Sequence, residues 1–378
     1  MKSKIWLSSP HIDKNELDYV KETFLDNWIA PVGPHIFGFE VAIETFLKRP
    51  SFVTAVTSGT AAIHLALKLL NIKAGDTVLC QSFTFIATAN PITYLGAIPV
   101  FVDSETETWN MCPYYLEEAI KEGLKLNKKP KAIIIVDLYG MPAKMDEIIE
   151  IATQYDIPII EDAAEALGSE YKNRKCGTFG DFSIFSFNGN KIITSSGGGA
   201  LVCRNSADKE KTLFYATQAK EVALHYQHEE VGFNYRLSNV CAAIGKGQME
   251  VLSKRIIQRQ ANHLFYQELF KGNKDVTVFK TDNTDFNSNY WLTCVLIGPQ
   301  ASFSNLDLIK YLGLHNIEAR PLWKPLHLQP VFENTLFYGG NVCSDLFSRG
   351  VCLPSGSNMS LVERLFIAKV LTEFFKSK

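Results

Sequence analysis

Between Phe52 and Cys203, short runs rich in β-branched residues alternate with segments of helical spacing, a pattern that few architectures accommodate. "FVTAV" reads as a buried strand, followed by a Ser-Gly-Thr turn and a helix opening at Thr60. "DTVLC" and "IPVFVD" are strand-like on either side of the helix-like "TFIATANPITYLG". "KAIIIVDLYG" shows no polar alternation, as expected of a strand covered on both faces. A helix over "KMDEIIEIATQY" and the strands "IPIIEDAA", "DFSIFSF" and "GALVC" complete the series. Strands separated by helices run largely parallel, because each crossover returns the chain to the same edge. Ligands of such sheets bind beyond the carboxyl ends of the strands, so the residues following each strand carry the functional information.

The 378-residue chain exceeds what one simple core absorbs, which implies two domains. The α/β unit, preceded by a helical segment at "KNELDYVKETF", is expected to occupy residues 1–245, its N-terminal segment packing near the active site. Proline-free helical spacing from Leu237 to Leu269 marks a helix or helix pair leaving that unit. Residues 246–378 then hold a strand at "YWLTCVLIG", a helix at "NLDLIKYLGL" and the loop "ARPLWKPLHLQP", which suits a smaller α+β domain. Charge is balanced, 38 Lys and Arg against 40 Asp and Glu, which argues against a nucleic-acid partner and for a small one. The eight cysteines form no C-x-x-C pair, and several lie in apolar runs, so they read as reduced core residues. No apolar stretch approaches a membrane span, and "MKSKIWLSSPHIDKNELDYV" lacks a signal-peptide core; the expected location is cytoplasmic, without a membrane partner.

Three strand ends carry polar residues that packing does not require. Thr57-Ser58-Gly59-Thr60 follows the first strand, where backbone N–H groups at a helix N-terminus can hold a phosphate. The same residues also suit a plain helix cap. Glu161-Asp162 follows "IPII", where either acid could equally begin a turn. Asn188-Gly189-Asn190-Lys191 follows "FSIFSF", and Lys191 is the only charged residue in "FSFNGNKIITSSGGGA". On spacing alone it also fits a solvated loop lysine. A phosphate cradle, a carboxylate and an isolated amine at one sheet edge match the needs of pyridoxal phosphate: an anchor, a partner for the pyridinium nitrogen, and an amine for the Schiff base. The amine must shed its proton to react, which favours a shielded site with few carboxylates beside it. Gly197, Gly198 and Gly199 are expected to allow a tight turn beside the ring.

Seven segments resemble one family as a set: "TSGTAAIHLAL", "SFTFIATANPI", "DLYGMPAKMDEI", "IIEDAAEALGS", "FSFNGNKIITSSGGGALV", "GFNYRLSNVCAAIG" and "EARPLWKPLH". The chain resembles the DegT-type nucleotide-sugar aminotransferases nearly end to end. That resemblance implies the α/β aspartate aminotransferase-like fold, fold type I of the pyridoxal phosphate enzymes. It comprises a large domain with a mostly parallel sheet and a smaller α+β C-terminal domain. The family pattern S-x-N-x-x-K falls on Ser186, Asn188 and Lys191. By resemblance Lys191 forms the Schiff base and, once released, moves the proton between sugar and cofactor carbons, with pyridoxamine phosphate as the intermediate form. Asp162 is implied to keep the ring nitrogen protonated, Ser58, Gly59, Thr60 and Ser186 to hold the phosphate, and Phe85 to stack on the ring. Asn234, in "GFNYRLS", matches an asparagine that reaches the neighbouring subunit's phosphate, implying a homodimer with shared active sites. Glu165 departs from the many members with glutamine or histidine near the cofactor's phenolic oxygen. Ionised there, it would oppose that oxygen's negative charge, so it is expected to be protonated or turned toward substrate.

Within the family, "LSSPH", "NWIAPVGP", "QSFTFIA" and "RPLWKPLH" are most similar to the aminotransferases of UDP-N,N′-diacetylbacillosamine synthesis. This implies L-glutamate as donor and a UDP-2-acetamido-2,6-dideoxy-4-keto-hexose as acceptor, giving UDP-4-amino-4,6-dideoxy-N-acetyl-α-D-glucosamine. It also assigns Trp28, Ile29, Pro31, Arg320, Trp323 and His327 to the substrate pocket. Amination at carbon 3, or of dTDP or GDP sugars, shares the same core. Trp323 and His327 also suit an ordinary dimer interface. A silent sugar-nucleotide binding protein would be expected to lose Lys191 or Asp162, and a lysine-free dehydratase would carry histidine at Lys191. A nicotinamide dehydrogenase needs G-x-G-x-x-G, which "VTSGTAAIH" lacks. Ser58 lacks the G-x-S-x-G elbow of a hydrolase nucleophile. His225 and His228 are spaced to share a metal but have no third ligand nearby, and no metal is expected.

Overall fold

The computed structural model describes residues 4–378. The β-branched runs form strands β1 (Phe52–Val56), β2 (Thr77–Gln81), β3 (Ile98–Val102), β4 (Ala132–Val136) and β5 (Ile159–Asp162). Two short strands, β6 (Glu170–Tyr171) and β7 (Arg174–Lys175), make a hairpin before β8 (Phe182–Ser186) and β9 (Gly199–Cys203). Further along lie β10 (Val276–Val278), β11 (Phe286–Asn287), β12 (Thr293–Ile297), β13 (Arg320–Pro321), β14 (Phe337–Tyr338) and β15 (Gly350–Leu353).

The main sheet has the order β1-β9-β8-β5-β4-β2-β3-β14. β9 runs against β1 and β8, and every other pairing is parallel. The carboxyl ends of β1, β5 and β8 therefore share one edge with the amino end of β9. Period-two alternation makes both faces apolar. In β4, Ile133 and Ile135 enter one core cluster while Ala132 and Ile134 enter another on the opposite face. Each such isoleucine contributes about 1.5–3 kcal/mol by leaving water.

The helices are α1 (Asn15–Leu25), α2 (Pro34–Leu47), α3 (Gly59–Leu69), α4 (Asn90–Tyr94), α5 (Pro113–Lys125), α6 (Met145–Gln154) and α7 (Ser206–Ala216). Residues of α3, α4 and α7 pack on the Ile134 face; those of α5 and α6 pack on the Ile133 face. "TFIATANPITYLG" forms a 3-10 turn, Ile86–Thr88, and then α4, which restarts with Pro91 in its first turn.

The spacing from Leu237 to Leu269 resolves into one helix, α8 (Asn239–Leu269), opened by Ser238, whose hydroxyl accepts from the Cys241 amide. The expected 245/246 boundary falls inside it. Ala242 and Leu252 of α8 pack with α2 in the core that reaches the main sheet, whereas Tyr266 joins the core of a second sheet. Gly245 and Gly247 permit this packing: a Cβ would stand 2.7 Å from the Phe39 ring of α2 or 2.9 Å from the Glu16 backbone of α1. The second sheet, β10-β12-β15-β13, is antiparallel throughout and packs on α9 (Asn305–Leu314) and α11 (Leu361–Lys376), which follow one another in sequence with α10 (Val342–Arg349) between them. β14 returns to pair with β3 in the main sheet. Among the described residues, no helix is long and apolar enough to cross a membrane. All eight cysteines are free thiols.

Candidate active site

The shared edge of the main sheet opens into a cavity of about 290 Å3. Ser58, in extended conformation, caps α3 by accepting from the Ala61 amide at 3.0 Å. The amides of Gly59 and Thr60 in the first turn have no intrahelical acceptor, and both residues line the cavity. The segment is thus a helix cap that leaves two amide donors able to hold an anion at the cavity. Gly199 pairs with Val56 and Ser186, and a Cβ on it would lie 2.4 Å from the Gly59 nitrogen. The requirement for glycine here is close backbone approach rather than the expected tight turn; the positive φ in this segment, 73°, belongs to Ser196.

The two acids ending β5 separate, as neighbours on a strand must. The Glu161 carboxylate accepts from the amides of Gly177, Phe179 (2.7 Å) and Gly180 (3.1 Å) and from the Ser183 hydroxyl (2.8 Å), away from the cavity. Asp162 lines the cavity and accepts from the Thr88 hydroxyl at 2.8 Å and the Ala164 amide at 3.2 Å. Complete burial pushes its carboxyl above the usual range, opposed by Thr88, the Lys191 charge and Ala164. A cationic N–H in the cavity would offset that burial cost and hold Asp162 ionised.

Lys191 projects into the same cavity with Nζ 3.6 Å from Glu165 Oε1. This corrects the expectation of few carboxylates beside the amine: the chain is locally uncharged at Lys191, but β5 and the turn after it bring Asp162 and Glu165 to it. Glu165 is fully buried, which raises its carboxyl, while Lys191 and the Tyr139 amide, donating to Oε2 at 2.6 Å, oppose the rise. The ammonium also lies 4.2 Å from the centroid of the Trp291 ring.

Trp291 and Arg259 escaped the sequence reading. The Trp291 indole donates to Asn190 O at 2.8 Å, which fixes the turn carrying Lys191. Arg259, fully buried on α8, donates to Trp291 O and to Ser8 Oγ, and burial lowers its pKa to about 9. An arginine within a helix of ordinary polarity gives no signal of such a role. Thr88 was also missed, although it stands inside the quoted "SFTFIATAN".

Phe85, Ser186, Asn188 and Trp323 line the cavity with these groups. The Phe85 and Trp323 rings contact each other at a tilt, centroids 5.5 Å apart. Trp323 is held by its amide, which donates to the Tyr139 hydroxyl at 2.8 Å. The remaining expected residues lie outside this single-chain cavity. Trp28, Ile29 and Pro31 are exposed on the segment between α1 and α2, and Asn234 is exposed beside Thr217. Arg320 is exposed and paired with Glu318 at 2.8 Å. His327 binds Ser82 Oγ at 2.7 Å and stacks on Phe337. His225 and His228 contact Gln227 and the Gln218 carbonyl respectively.

An open helix N-terminus, a buried carboxyl in no direct ion pair among the described residues, and a lysine amine bound one cavity, and these features fit pyridoxal phosphate. Sheet and site together define a pyridoxal phosphate enzyme of fold type I. The chain belongs to the DegT/DnrJ/EryC1/StrS aminotransferase family, whose model matches residues 10–371. It is 51% identical over 381 residues to EpsN of Bacillus subtilis, assigned by name alone to the pyridoxal phosphate-dependent aminotransferases, covering 99% of this chain and 97% of that one. It is 36% identical over 369 residues to GDP-perosamine synthase of Escherichia coli O157:H7, covering 98% of each. It is 30% identical over 373 residues to UDP-4-amino-4,6-dideoxy-N-acetyl-beta-L-altrosamine transaminase of Campylobacter jejuni, covering 97% and 96%. Among solved structures, Helicobacter pylori PseC, an aminotransferase involved in pseudoaminic acid biosynthesis, matches with a TM-score of 0.91, 25% identity and full coverage of both chains. The protein is a pyridoxal phosphate-dependent sugar aminotransferase.

Proposed function

We propose that this enzyme transfers the amino group of L-glutamate to carbon 4 of a UDP-2-acetamido-2,6-dideoxy-4-keto-hexose, forming UDP-4-amino-4,6-dideoxy-N-acetyl-α-D-glucosamine and 2-oxoglutarate. The observation that carries the chemistry is the convergence of Lys191, Asp162 and the α3 N-terminus on one cavity. Pyridoxal phosphate, when bound, supplies an electron sink and carries the amino group from donor to acceptor. The amides of Gly59 and Thr60, with Ser186, bind its phosphate. Asp162, oriented by Thr88, holds the proton on the ring nitrogen. Lys191 Nζ moves the proton at the substrate carbon in both half-reactions. Glu165, 3.6 Å away, positions that amine in the cavity. Phe85 and Trp323 supply the aromatic wall on which the cofactor ring can stack.

The UDP-linked acetamido sugar is supported by the likeness of "NWIAPVGP" and "RPLWKPLH" to bacillosamine-type enzymes and by the Campylobacter relative that acts on a UDP-linked N-acetyl sugar. A second reading, a GDP-linked 4-keto sugar, is favoured by the GDP-perosamine synthase relative. Measuring kcat/KM for both sugars with L-glutamate separates them, and a preference for the GDP sugar overturns the first. We further propose a homodimer in which Asn234 and the Trp28–Pro31 segment complete the neighbour's site. Support comes from exposed apolar residues on both segments, including Trp28, Ile29, Val222 and Leu224. We also propose a cytoplasmic location, supported by cysteines that are scattered through apolar runs without a C-x-x-C pair.

A further inference from the structure

At the opposite edge of the main sheet, a second cavity of about 300 Å3 is walled by Arg49, Arg174 and Arg204. Arg49 precedes β1 and Arg204 follows β9, and Cys203 pairs with both Phe52 and Phe182, so strand register brings these ends together. The length of β9 sets this cavity about 16 Å from the Gly199 end of the sheet.

Two of the three guanidinium groups are held rigidly by neutral acceptors. Arg204 donates from Nε to Gly180 O at 2.8 Å and from Nη2 to Phe179 O at 2.7 Å. Arg174 donates from Nε to Thr178 Oγ1 at 3.0 Å and from Nη2 to Thr178 O, with its plane 4.1 Å from the Phe179 ring centroid. Arg49 is exposed and has neither a hydrogen bond nor an ion pair among the described residues. Among the described residues, Asp181 is the one carboxylate in ion-pair contact with the three, 3.0 Å from Arg204, and its other oxygen accepts from the Ile159 amide. Glu161, beneath the cavity, is spent on the amides of the loop that forms its wall. Burial first, and then the neighbouring Arg49, hold the Arg174 pKa below its ordinary value; Arg204 adds to this, and Glu161 and Asp146 oppose it.

Like charges gathered around a concave surface repel unless an anion lies between them. Guanidinium groups already fixed in place bind such an anion with little ordering cost, and their forked donors match phosphate oxygens. The volume is at the small end of ligand pockets, and the chain's overall charge of −2 does not attract a nucleic-acid polymer. We propose that this cavity binds a small phosphate-bearing anion through Arg49, Arg174 and Arg204. The shared chemistry is a terminal phosphoryl group, whether of inorganic pyrophosphate or of a free nucleoside diphosphate.

The test is calorimetric titration of the pyridoxal phosphate-loaded enzyme with inorganic phosphate, pyrophosphate and UDP at low ionic strength. Wild type is compared with Arg49→Glu and Arg204→Gln. Arg49 makes no hydrogen bond or ion pair among the described residues and lies away from the Lys191 cavity, so Arg49→Glu is expected to keep full transamination while binding pyrophosphate at least about tenfold more weakly. Variant-sensitive binding of pyrophosphate without UDP identifies an inorganic anion, and variant-sensitive binding of UDP identifies a nucleotide. Affinities unchanged within about twofold in both variants, or no binding of any probe to wild type, overturn the proposal.

Discussion

Lys191 has no charged neighbour along its stretch of chain, yet folding sets it beside two buried carboxyl groups and over an indole ring. Its replacement by alanine is expected to abolish turnover while the phosphate cradle, which uses other residues, retains cofactor through gel filtration. Persistent turnover would remove Lys191 from its role. Asp162→Asn is expected to keep the hydrogen-bonded shape but lower kcat by about 100-fold or more, the order found when one preorganised charge-stabilising group is lost. His263 makes a different prediction, for stability. It is buried on α8, stacked on Tyr290 at 3.6 Å, and burial lowers its pKa to about 3. Its folded pKa lies below the ordinary 6.5, so the unfolded chain takes up the proton first. The contribution of the neutral ring is complete above pH 6.5 and is lost as pH falls toward 3. Urea midpoints should therefore drop between pH 7 and 4, and His263→Phe should flatten the slope.

At the scale of elements, the strand-helix alternation was legible because both faces of the sheet are covered, leaving β4 wholly apolar and β5 apolar until its last two residues. Period two requires Glu161 and Asp162 to point to opposite faces, but the sequence does not say which face holds the site. That depends on the loop from Gly177 to Gly180 folding under β5 and spending three amides on Glu161. Glu161→Ala would leave those buried amides without an acceptor and is expected to destabilise the fold by about 3 kcal/mol or more. Equilibrium urea unfolding measures this, and a loss under about 0.5 kcal/mol, the range of a surface change, would contradict the clamp. Trp291 and Arg259 were not legible for the same kind of reason. They reach Asn190 and the Lys191 turn from β12's approach and from α8, about 70 to 100 residues away in sequence, and no local pattern encodes that meeting.

At the scale of the molecule, the meeting of Ser58, Asp162 and Lys191 in one cavity was readable because these residues follow or end strands at one sheet edge, whereas of the residues expected on the substrate side only Trp323 lines that cavity. Trp28, Ile29, Pro31, Asn234, Arg320 and His327 stand outside the cavity of one chain. A partner subunit is the economical means of bringing the first four into use, and Val222 and Leu224, fully exposed, are the apolar surface it would cover. Sedimentation equilibrium is expected to give a dimer. The double change Val222→Asp and Leu224→Asp should yield monomers with impaired turnover, and a monomeric, fully active wild type would contradict shared sites. The most direct measurement is the visible absorption of the loaded enzyme, followed through L-glutamate and then the UDP-4-keto-6-deoxy-N-acetyl sugar. The account predicts that the cofactor band disappears with glutamate and returns with the UDP sugar. No band after addition of pyridoxal phosphate, or a band that glutamate leaves unchanged, would contradict it.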